Sequence, residues 1–358
     1  MHVPDGFIDA PISAATGVLA AGALAVSLKG ARRELDERTA PLAGLVAAFI
    51  FAVQMLNFPV AAGTSGHLLG GALAAILVGP CTGVLCVSVV LLMQGILFAD
   101  GGLTALGVNI TDMAVVTTVV SYAVFRGLVK VLPRRRRSVT VASFAAALVS
   151  VPAAAVAFTL IYAVGGTTDV ALSKVATAMI GVHVLIGVGE ATITALTVGA
   201  VIAVRPDLVY GARGLERKLK LRVNGQLVDA PAAEPAVPAT ALPQALDSAR
   251  AGRHPHHRKL WATGLVISLL LAGFVSFYAS ASPDGLEKVA KDQGIDRRTE
   301  PHAAADSPLA DYGVKDIADA RLSGGLAGVI GVGVTVVAGS AVFRVVRRRR
   351  TTEPSQAR

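Results

Sequence analysis

Long apolar runs, separated by short polar segments, organise this chain. Their lengths predict helices at residues 10–28, 41–58, 67–79, 82–98, 104–131, 139–164, 176–203, 260–280 and 323–343. Most of these runs approach the roughly 20 apolar residues that a helix needs to cross a bilayer. The third and fourth are short and meet at Gly79-Pro80, so a re-entrant pair and a broken helix both stay open. The number of crossings is thus open by one or two.

Basic residues lie in clusters that follow alternate helices. The clusters comprise Lys29, Arg32, Arg33 and Arg38, then Arg134 to Arg137, the stretch from Arg205 to Arg222, and Arg347 to Arg350. With all four clusters in the cytoplasm, the nine helices alternate without conflict, as the positive-inside rule requires. This orientation places the N-terminus, segment 59–66 and segment 281–322 outside, and the C-terminus in the cytoplasm.

Composition agrees with a multi-pass membrane protein. Of the 358 residues, 53% are apolar and 16% charged, against about a quarter charged in soluble domains. The net charge of +9 is explained by the topological clusters, so we expect no nucleic-acid partner. Cys81 and Cys86 do not form a CxxC motif and predict no disulfide framework. The fold class is therefore all-α, with a lipid bilayer as solvent.

The segments divide into four parts. Residues 1–205 form a seven-helix core, and residues 206–258 form a basic and Pro/Ala-rich linker that includes APAAEPAVPATALPQ. Such a linker is expected to be extended. Residues 259–345 form a module of two transmembrane helices with outer loop 281–322, and residues 346–358 form a basic tail.

The first residues, MHVPDGF, carry candidate metal chemistry. The α-amine of Met1, the amide nitrogen of His2 and its imidazole close consecutive five- and six-membered chelate rings on a metal. Three nitrogens near one plane favour Ni(II) or Cu(II). The plane needs a fourth donor, and His67, after the small segment Gly63-Thr64-Ser65-Gly66, is the only other histidine near an outer loop of the core. We expect His67 to open an apolar helix.

Four segments together resemble a known family: MHVPDGF, NFPVAAGTSGHLLGGALAA, LLMQGILFADGGLTALGVNITDMA and GVHVLIGVGEATITAL. Over roughly residues 1–205 they are similar to the M-type (CbiM/NikM-like) substrate-binding subunit of nickel/cobalt energy-coupling factor transporters. The resemblance implies that the N-terminus threads into the core. It also implies that Met1, His2 and His67 bind Ni(II) or Co(II) as transported substrate, with no permanent cofactor. The Gly-Thr-Ser-Gly-His form resembles the nickel-type members.

A second resemblance covers roughly residues 260–345. SPDGLEKVAKDQG and SPLADYGV resemble the PDGLE domain, a counterpart of the small N-type subunit that is thought to assist metal loading. It implies no metal ligand here. The sequence contains no GxxxxGK[ST] phosphate loop. The family resemblance therefore implies a non-enzymatic subunit in the cytoplasmic membrane of a prokaryote. A pair of cytoplasmic ATPases would hydrolyse ATP, and a T-type transmembrane subunit would couple them to this chain.

Two intramembrane residues, His183 and Glu190, lie about two helical turns apart on one helix face, and such residues are functional hypotheses by default. They either fix helix packing or lie behind the metal ligands, with Glu190 bonded to the N-terminal segment. A rival function from another class is a proton-coupled secondary carrier that uses them as a relay. Asn57 and Ser65 are further packing or supporting positions, as are Gln54 and Gln94.

Other polar residues carry weaker hypotheses. Asp100, Asn109 and Asp112 are interpreted as turn and capping residues. The tract HPHH at 254–257 is a candidate for metal handling, although its place in a basic linker favours the membrane surface. Glu287 and Asp311 in the outer loop would attract cations by charge. A purely structural or sensory membrane module, which binds no metal, is a further alternative.

Overall fold

The computed structural model describes residues 1–35, 39–61, 63–213, 220–223, 226–229 and 255–351. The helices of this part are α1 (Ala10–Glu34), α2 (Thr39–Gln54), α3 (Gly71–Val78), α4 (Pro80–Leu97), α5 (Leu106–Val131), α6 (Arg136–Gly165), α7 (Leu172–Val204), α8 (Pro255–Gly273), α9 (Gly285–Gln293) and α10 (Ala320–Thr351). Two antiparallel hairpins accompany them, formed by β1 (Phe58–Ala61) with β2 (Thr64–Gly66) and by β3 (Lys220–Val223) with β4 (Gln226–Asp229). Short 3₁₀ turns follow α7, α8 and α9.

The prediction of an all-α polytopic membrane protein is confirmed, because each of the nine apolar runs coincides with a helix. Seven helices within the described ranges are long and apolar enough to cross a membrane. The other two apolar helices are shorter: α2 has 16 residues and α3 has 8. The orientation of the termini stays a prediction. The Pro/Ala part of the linker lies outside the described residues.

Helices α3 and α4 form a hairpin, in which α3 is short and α4 is long enough to cross a membrane. The chain reverses at Gly79, whose φ of 105° is readily reached only by glycine, and Pro80 starts α4. A Cβ on Gly83 would lie 2.9 Å from the backbone nitrogen of Ala75. Residues 75 and 83 would be far apart in one continuous helix, so this short distance shows that α4 folds back on α3. All eight residues of α3 are buried, so the short helix is enclosed by protein, as a helix end at membrane depth requires.

The segment before α3 differs from the prediction. His67 does not open a helix, because α3 begins only at Gly71. Gly70 has a φ of 89°, and this left-handed residue separates His67 from the helix. The loop predicted at 59–66 contains the β1–β2 hairpin, which packs on α7: a Cβ on Gly66 would contact the side chain of Ile186.

The N-terminal segment is threaded into the core, as the family resemblance implies. Val3 is fully buried and Phe7 is 2% exposed. The amide of Asp9 donates to the carbonyl of Gly165 at 2.7 Å, and Thr167 donates its amide to the carbonyl of Phe7. Asp9 then caps α1 by accepting from the amide of Ile12. The segment is therefore fastened to the α6 end before the first helix starts.

The C-terminal helices pack against the core, mainly on α2. Gly331 of α10 lies against the rings of Phe51 and Phe98. Further along the same helix, a Cβ on Gly339 would lie 3.3 Å from the Cα of Gly44. Small residues allow such close approach of membrane helices. The second module therefore shares a continuous interface with the first.

Replacing Gly83 with alanine should destabilise the protein, because the added Cβ meets backbone atoms of α3 that cannot move aside. We expect a cost of about 1–3 kcal/mol, the usual range for overpacking, visible as a lower unfolding temperature in detergent. Gly22→Ala in α1 is the matched control, since a Cβ there meets nothing within 4 Å. Equal unfolding temperatures for the two variants would contradict the close packing of α4 against α3.

Candidate metal centre

Backbone pairing holds the first three residues in place. The amide of Val3 donates to Oδ1 of Asn109 at 2.7 Å, and Nδ2 of Asn109 donates back to the carbonyl of Val3 at 3.1 Å. The amide of Gly102 donates to the same carbonyl at 2.9 Å. As a result Met1 is only 3% exposed. The N-terminus is therefore a fixed, buried group.

Two consecutive glycines make this approach possible. A side chain on Gly102 would overlap the backbone nitrogen of Asp5, and Gly101 has a φ of 81°. Asp5 also accepts from the amide and the hydroxyl of Thr104. The Gly-Gly pair thus lets the N-terminal segment lie directly on the loop that precedes α5.

Donor atoms from three distant parts of the sequence meet at the Met1 amine. Its nitrogen lies 2.7 Å from Nε2 of His67 and 2.7 Å from Oδ2 of Asp284. His67 Nε2 and Asp284 Oδ2 are 3.5 Å apart. The rings of His2 and His67 stack with centroids 5.1 Å apart. One ligand atom from each of His2, His67 and Asp284 lies within 4.8 Å of the others, so the arrangement can hold one metal ion.

Burial keeps the imidazole of His2 neutral. It lowers the pKa of His2 to about 4, although the nearby carboxylate of Asp100 acts in the opposite direction. Nε2 of His2 lies 3.2 Å from Oε1 of Gln94, and Nδ1 faces Oδ1 of Asp100 at 3.3 Å. A neutral ring has a single N–H, so it donates to only one of these two oxygens. Nδ1 is the nitrogen that can close a chelate ring with the His2 amide.

His67 is held with its lone pair directed at the Met1 amine. Its Nδ1 lies 3.0 Å from the carbonyl of Leu68, and donation to that carbonyl leaves Nε2 as the free acceptor, a common arrangement for metal-binding histidines. Glu190 accepts from the amides of Leu69 and Gly70 at 2.6 and 3.1 Å. The segment after His67 is therefore fixed from α7.

The partner of Glu190 differs from the prediction, since it bonds the His67 segment instead of the N-terminal segment. His183 is buried, and its Nδ1 bonds the carbonyl of Met179 at 2.7 Å. Within the described residues, Nε2 of His183 has no hydrogen-bond partner, and no hydrogen bond joins His183 to Glu190. The geometry thus shows no continuous relay between them.

Asn57 and Ser65 contact the C-terminal module. The Ser65 amide donates to the carbonyl of Pro283 at 2.9 Å, and its hydroxyl donates to the carbonyl of Ser282 at 2.7 Å. The carbonyl of Asn57 accepts from the amide of Ser280. Gln54, in the same region, donates to the carbonyl of Leu69.

The capping interpretation of Asp100, Asn109 and Asp112 is wrong. Asn109 pairs with the Val3 backbone, as described above. Asp100 contacts His2 and accepts from the hydroxyl of Tyr312 at 2.6 Å. Asp112 is buried in a π-helical stretch of α5, and both its side-chain oxygens are without a partner among the described residues. Asp100 and Asn109 thus make long-range contacts that local spacing does not reveal.

Sequence reasoning missed Asp284. It is the N-cap of α9: its Oδ1 accepts from the amide of Glu287 at 2.8 Å, and Oδ2 faces Met1. Burial alone would raise the pKa of Asp284, but the Met1 ammonium and His67 hold it well below its usual value. The only signal was the recurrence of Pro-Asp-Gly at 4–6 and 283–285, both predicted outside.

The other outer-loop candidates have different contacts. Glu287 completes the capping box with Asp284, and the amide of Asp311 donates to the carbonyl of Phe98. The first residue of the HPHH tract, 254, lies outside the described residues, and the other three belong to the first turn of α8, where side chains are not described. A cavity of about 540 Å³ opens beside the donor atoms and is lined by His2, His67, Asp284, Asn57, Asp100 and Tyr312, among others.

Replacing Asn109 with alanine should loosen the N-terminus, because Val3 loses both side-chain hydrogen bonds. We expect the Met1 amine to react faster with an amine-acylating reagent, measured on the N-terminal peptide by mass spectrometry. Asn57→Ala is the matched control, because the Asn57 side-chain oxygen is buried without a partner among the described residues. Equal labelling rates in the two variants would show that Asn109 does not fix the terminus.

Comparison with known proteins places the chain in a family. The profile of the family described as the cobalt uptake substrate-specific transmembrane region (CbiM) matches residues 2–208. The profile of the PDGLE domain matches residues 258–348. The first match alone covers more than half of the chain.

Individual similar proteins support the same family assignment. The chain is 39% identical over 212 residues to a putative metal transport protein of Haloquadratum walsbyi, covering 59% of this chain and 94% of that one. It is 37% identical over 228 residues to a putative fused nickel transport protein, NikMN, of Archaeoglobus fulgidus, covering 64% and 74%. A solved structure of a truncated transition metal transporter superposes with a TM-score of 0.50 at 27% identity, covering 57% and 99%. The chain therefore belongs to the CbiM family and carries a C-terminal PDGLE domain.

Proposed function

We propose that this protein is the substrate-binding subunit of a transition-metal importer, and that Met1, His2 and His67 bind Ni(II) or Co(II). The observation that carries the proposal is the Met1 amine, which lies buried 2.7 Å from Nε2 of His67 and beside the neutral ring of His2. Relatives named as metal and nickel transport proteins support the same function.

The donor distances suit a single ion. Nitrogen donors bind metals such as zinc at about 2.0–2.1 Å, so two neighbouring donors at right angles are about 2.9 Å apart. The 2.7 Å between Met1 N and His67 Nε2 is close to that separation. The His2 amide and Nδ1 would add two donors on the same chelate, once the amide loses its proton and the ring turns from Asp100 to the metal.

A nitrogen-rich planar set favours nickel over cobalt, because Ni(II) accepts planar geometry more readily. The Gly-Thr-Ser-Gly-His segment ending at His67 resembles the nickel-type members of the family. The fused nickel transport relative of Archaeoglobus fulgidus is consistent with that preference. Nickel is thus the proposed main substrate and cobalt the second.

The proposed route runs from outside to inside. The positive-inside rule places MHVPDGF and His67 on the outer side, where the ion would be captured. The sequence contains no phosphate loop, so ATP hydrolysis would come from cytoplasmic ATPase partners through a T-type membrane subunit. The rival secondary carrier needs a relay through His183 and Glu190, and the separate hydrogen bonds of these two residues do not favour it.

Adding two alanines before Met1 should abolish nickel binding, because the chain then has an amide where the Met1 amine was. Two are needed, since a single added residue would place the histidine third and create a new four-nitrogen chelate with the terminal amine and two amides. Calorimetry of the purified protein with Ni(II) would measure the loss. A protein with two alanines added after Arg358 is the matched control and should bind like the wild type. Unchanged affinity in the N-terminally extended protein would disprove the chelate.

Uptake should depend on ATP hydrolysis by partner proteins. In cells that express this chain with a T-type subunit and an ATPase pair, nickel accumulation should stop when the ATPases lose their catalytic carboxylate. It should continue when an uncoupler collapses the proton gradient while ATP is maintained. The opposite pattern would favour the secondary carrier.

A further inference from the structure

We infer that Asp284, on the C-terminal module, is a fifth donor to the metal site and completes it with a carboxylate oxygen. The inference rests on the proposed function, because it requires a metal held by Met1, His2 and His67. It goes further in assigning part of the site to the PDGLE domain, more than 200 residues along the chain from His67.

The distances around the Met1 amine favour a direct bond from Asp284 to the ion. Oδ2 of Asp284 lies 2.7 Å from the Met1 amine and 3.5 Å from Nε2 of His67. The Met1–His67 pair spans 2.7 Å, so these three atoms form a compact triangle. An ion bound to Met1 and His67 would have this oxygen at its side, within reach of a small side-chain adjustment.

The carboxylate of Asp284 is held in position by its surroundings. Oδ1 is used by the helix cap, where it accepts from the amide of Glu287, and this leaves Oδ2 as the oxygen directed at the site. The preceding carbonyl, of Pro283, accepts from Ser65 on the β1–β2 hairpin. The next residue, Gly285, packs so closely on α7 that a Cβ would lie 2.8 Å from side-chain atoms of Val182 and Ile186.

Charge favours the same assignment. Oδ2 of Asp284 forms an ion pair with the Met1 nitrogen at 2.7 Å, so its carboxylate lies next to the position that a divalent cation would occupy. A positive charge at a largely buried site is costly unless an opposite charge lies beside it.

The remaining carboxylate near His2 does not replace this one. Asp100 accepts from the hydroxyl of Tyr312, and its side chain is 27% exposed, compared with 17% for Asp284. Asp100 contacts the His2 ring, whereas Asp284 contacts the amine and His67. Asp284 is therefore the carboxylate placed to bind the ion itself.

An oxygen donor outside the nitrogen plane has a consequence for the substrate. A purely planar nitrogen set selects Ni(II) and Cu(II). A fifth donor from the side relaxes that selection, because Co(II) does not favour planar coordination. A docked C-terminal module would thus widen the range of ions that the core holds, and loss of the carboxylate should weaken cobalt binding more than nickel binding.

X-ray absorption on the nickel-loaded full-length protein tests the inference. We expect the wild type to show five nitrogen or oxygen donors and no pre-edge peak of planar four-coordinate nickel. Asp284→Asn should show that peak and bind nickel about 10- to 100-fold more weakly, the usual effect of removing a supporting group at a metal site. Asparagine remains a good N-cap, so α9 should stay intact.

Glu287→Gln is the matched control: it removes a negative charge from the same turn but keeps the capping box, and it should retain the wild-type spectrum. Nickel held by four nitrogens in the wild type would overturn the fifth donor and leave the proposed function standing. Failure of the wild type to bind nickel would overturn both. A count of four donors in the wild type would overturn the inference even if Asp284→Asn does not fold, and the loss of one donor in Asp284→Asn assigns the fifth donor to this carboxylate instead of to water.

Discussion

The pairing of the Val3 backbone with the side chain of Asn109 is the contact on which the site depends. A free chain terminus normally remains in water, because burying a charged amine without a partner is costly. Here two hydrogen bonds to Asn109 and one from Gly102 fix the N-terminal segment. The Met1 nitrogen then lies within hydrogen-bond distance of Asp284 and His67. A mobile end of the chain is thereby converted into a rigid group of donors.

Most of the surrounding fold holds the N-terminal segment and the segment around His67 in place. Glu190 fixes the His67 segment from α7, and the α3–α4 hairpin places the start of α3 in the protein interior, where all eight of its residues are buried. The C-terminal module contacts both the N-terminal segment and the β1–β2 hairpin: the amide of Glu300 donates to the carbonyl of Asp5, and the amide of Ser65 donates to the carbonyl of Pro283. The two parts of the chain therefore share one site.

The sequence predicts the helices well because each apolar run is itself the cause of a membrane helix. It also predicts Met1, His2 and His67 as candidate donors, since two of them are neighbours and the third follows from a motif. Asn109, Asp100 and Asp284 were missed or misread, because their partners lie about 100 residues or more away and nothing in the local pattern distinguishes a polar tether from a cap. The start of α3 was misplaced because the left-handed Gly70 interrupts an otherwise continuous apolar run.

The central claim is that the chain's own N-terminus binds the metal. Anomalous diffraction at the nickel edge, from crystals of the nickel-loaded full-length protein, tests it most directly. The account predicts a single strong peak at about 2 Å from the Met1 amine, the His2 amide, Nδ1 of His2 and Nε2 of His67. A nickel peak elsewhere, with the Met1 amine still paired only to Asp284 and His67, would contradict it.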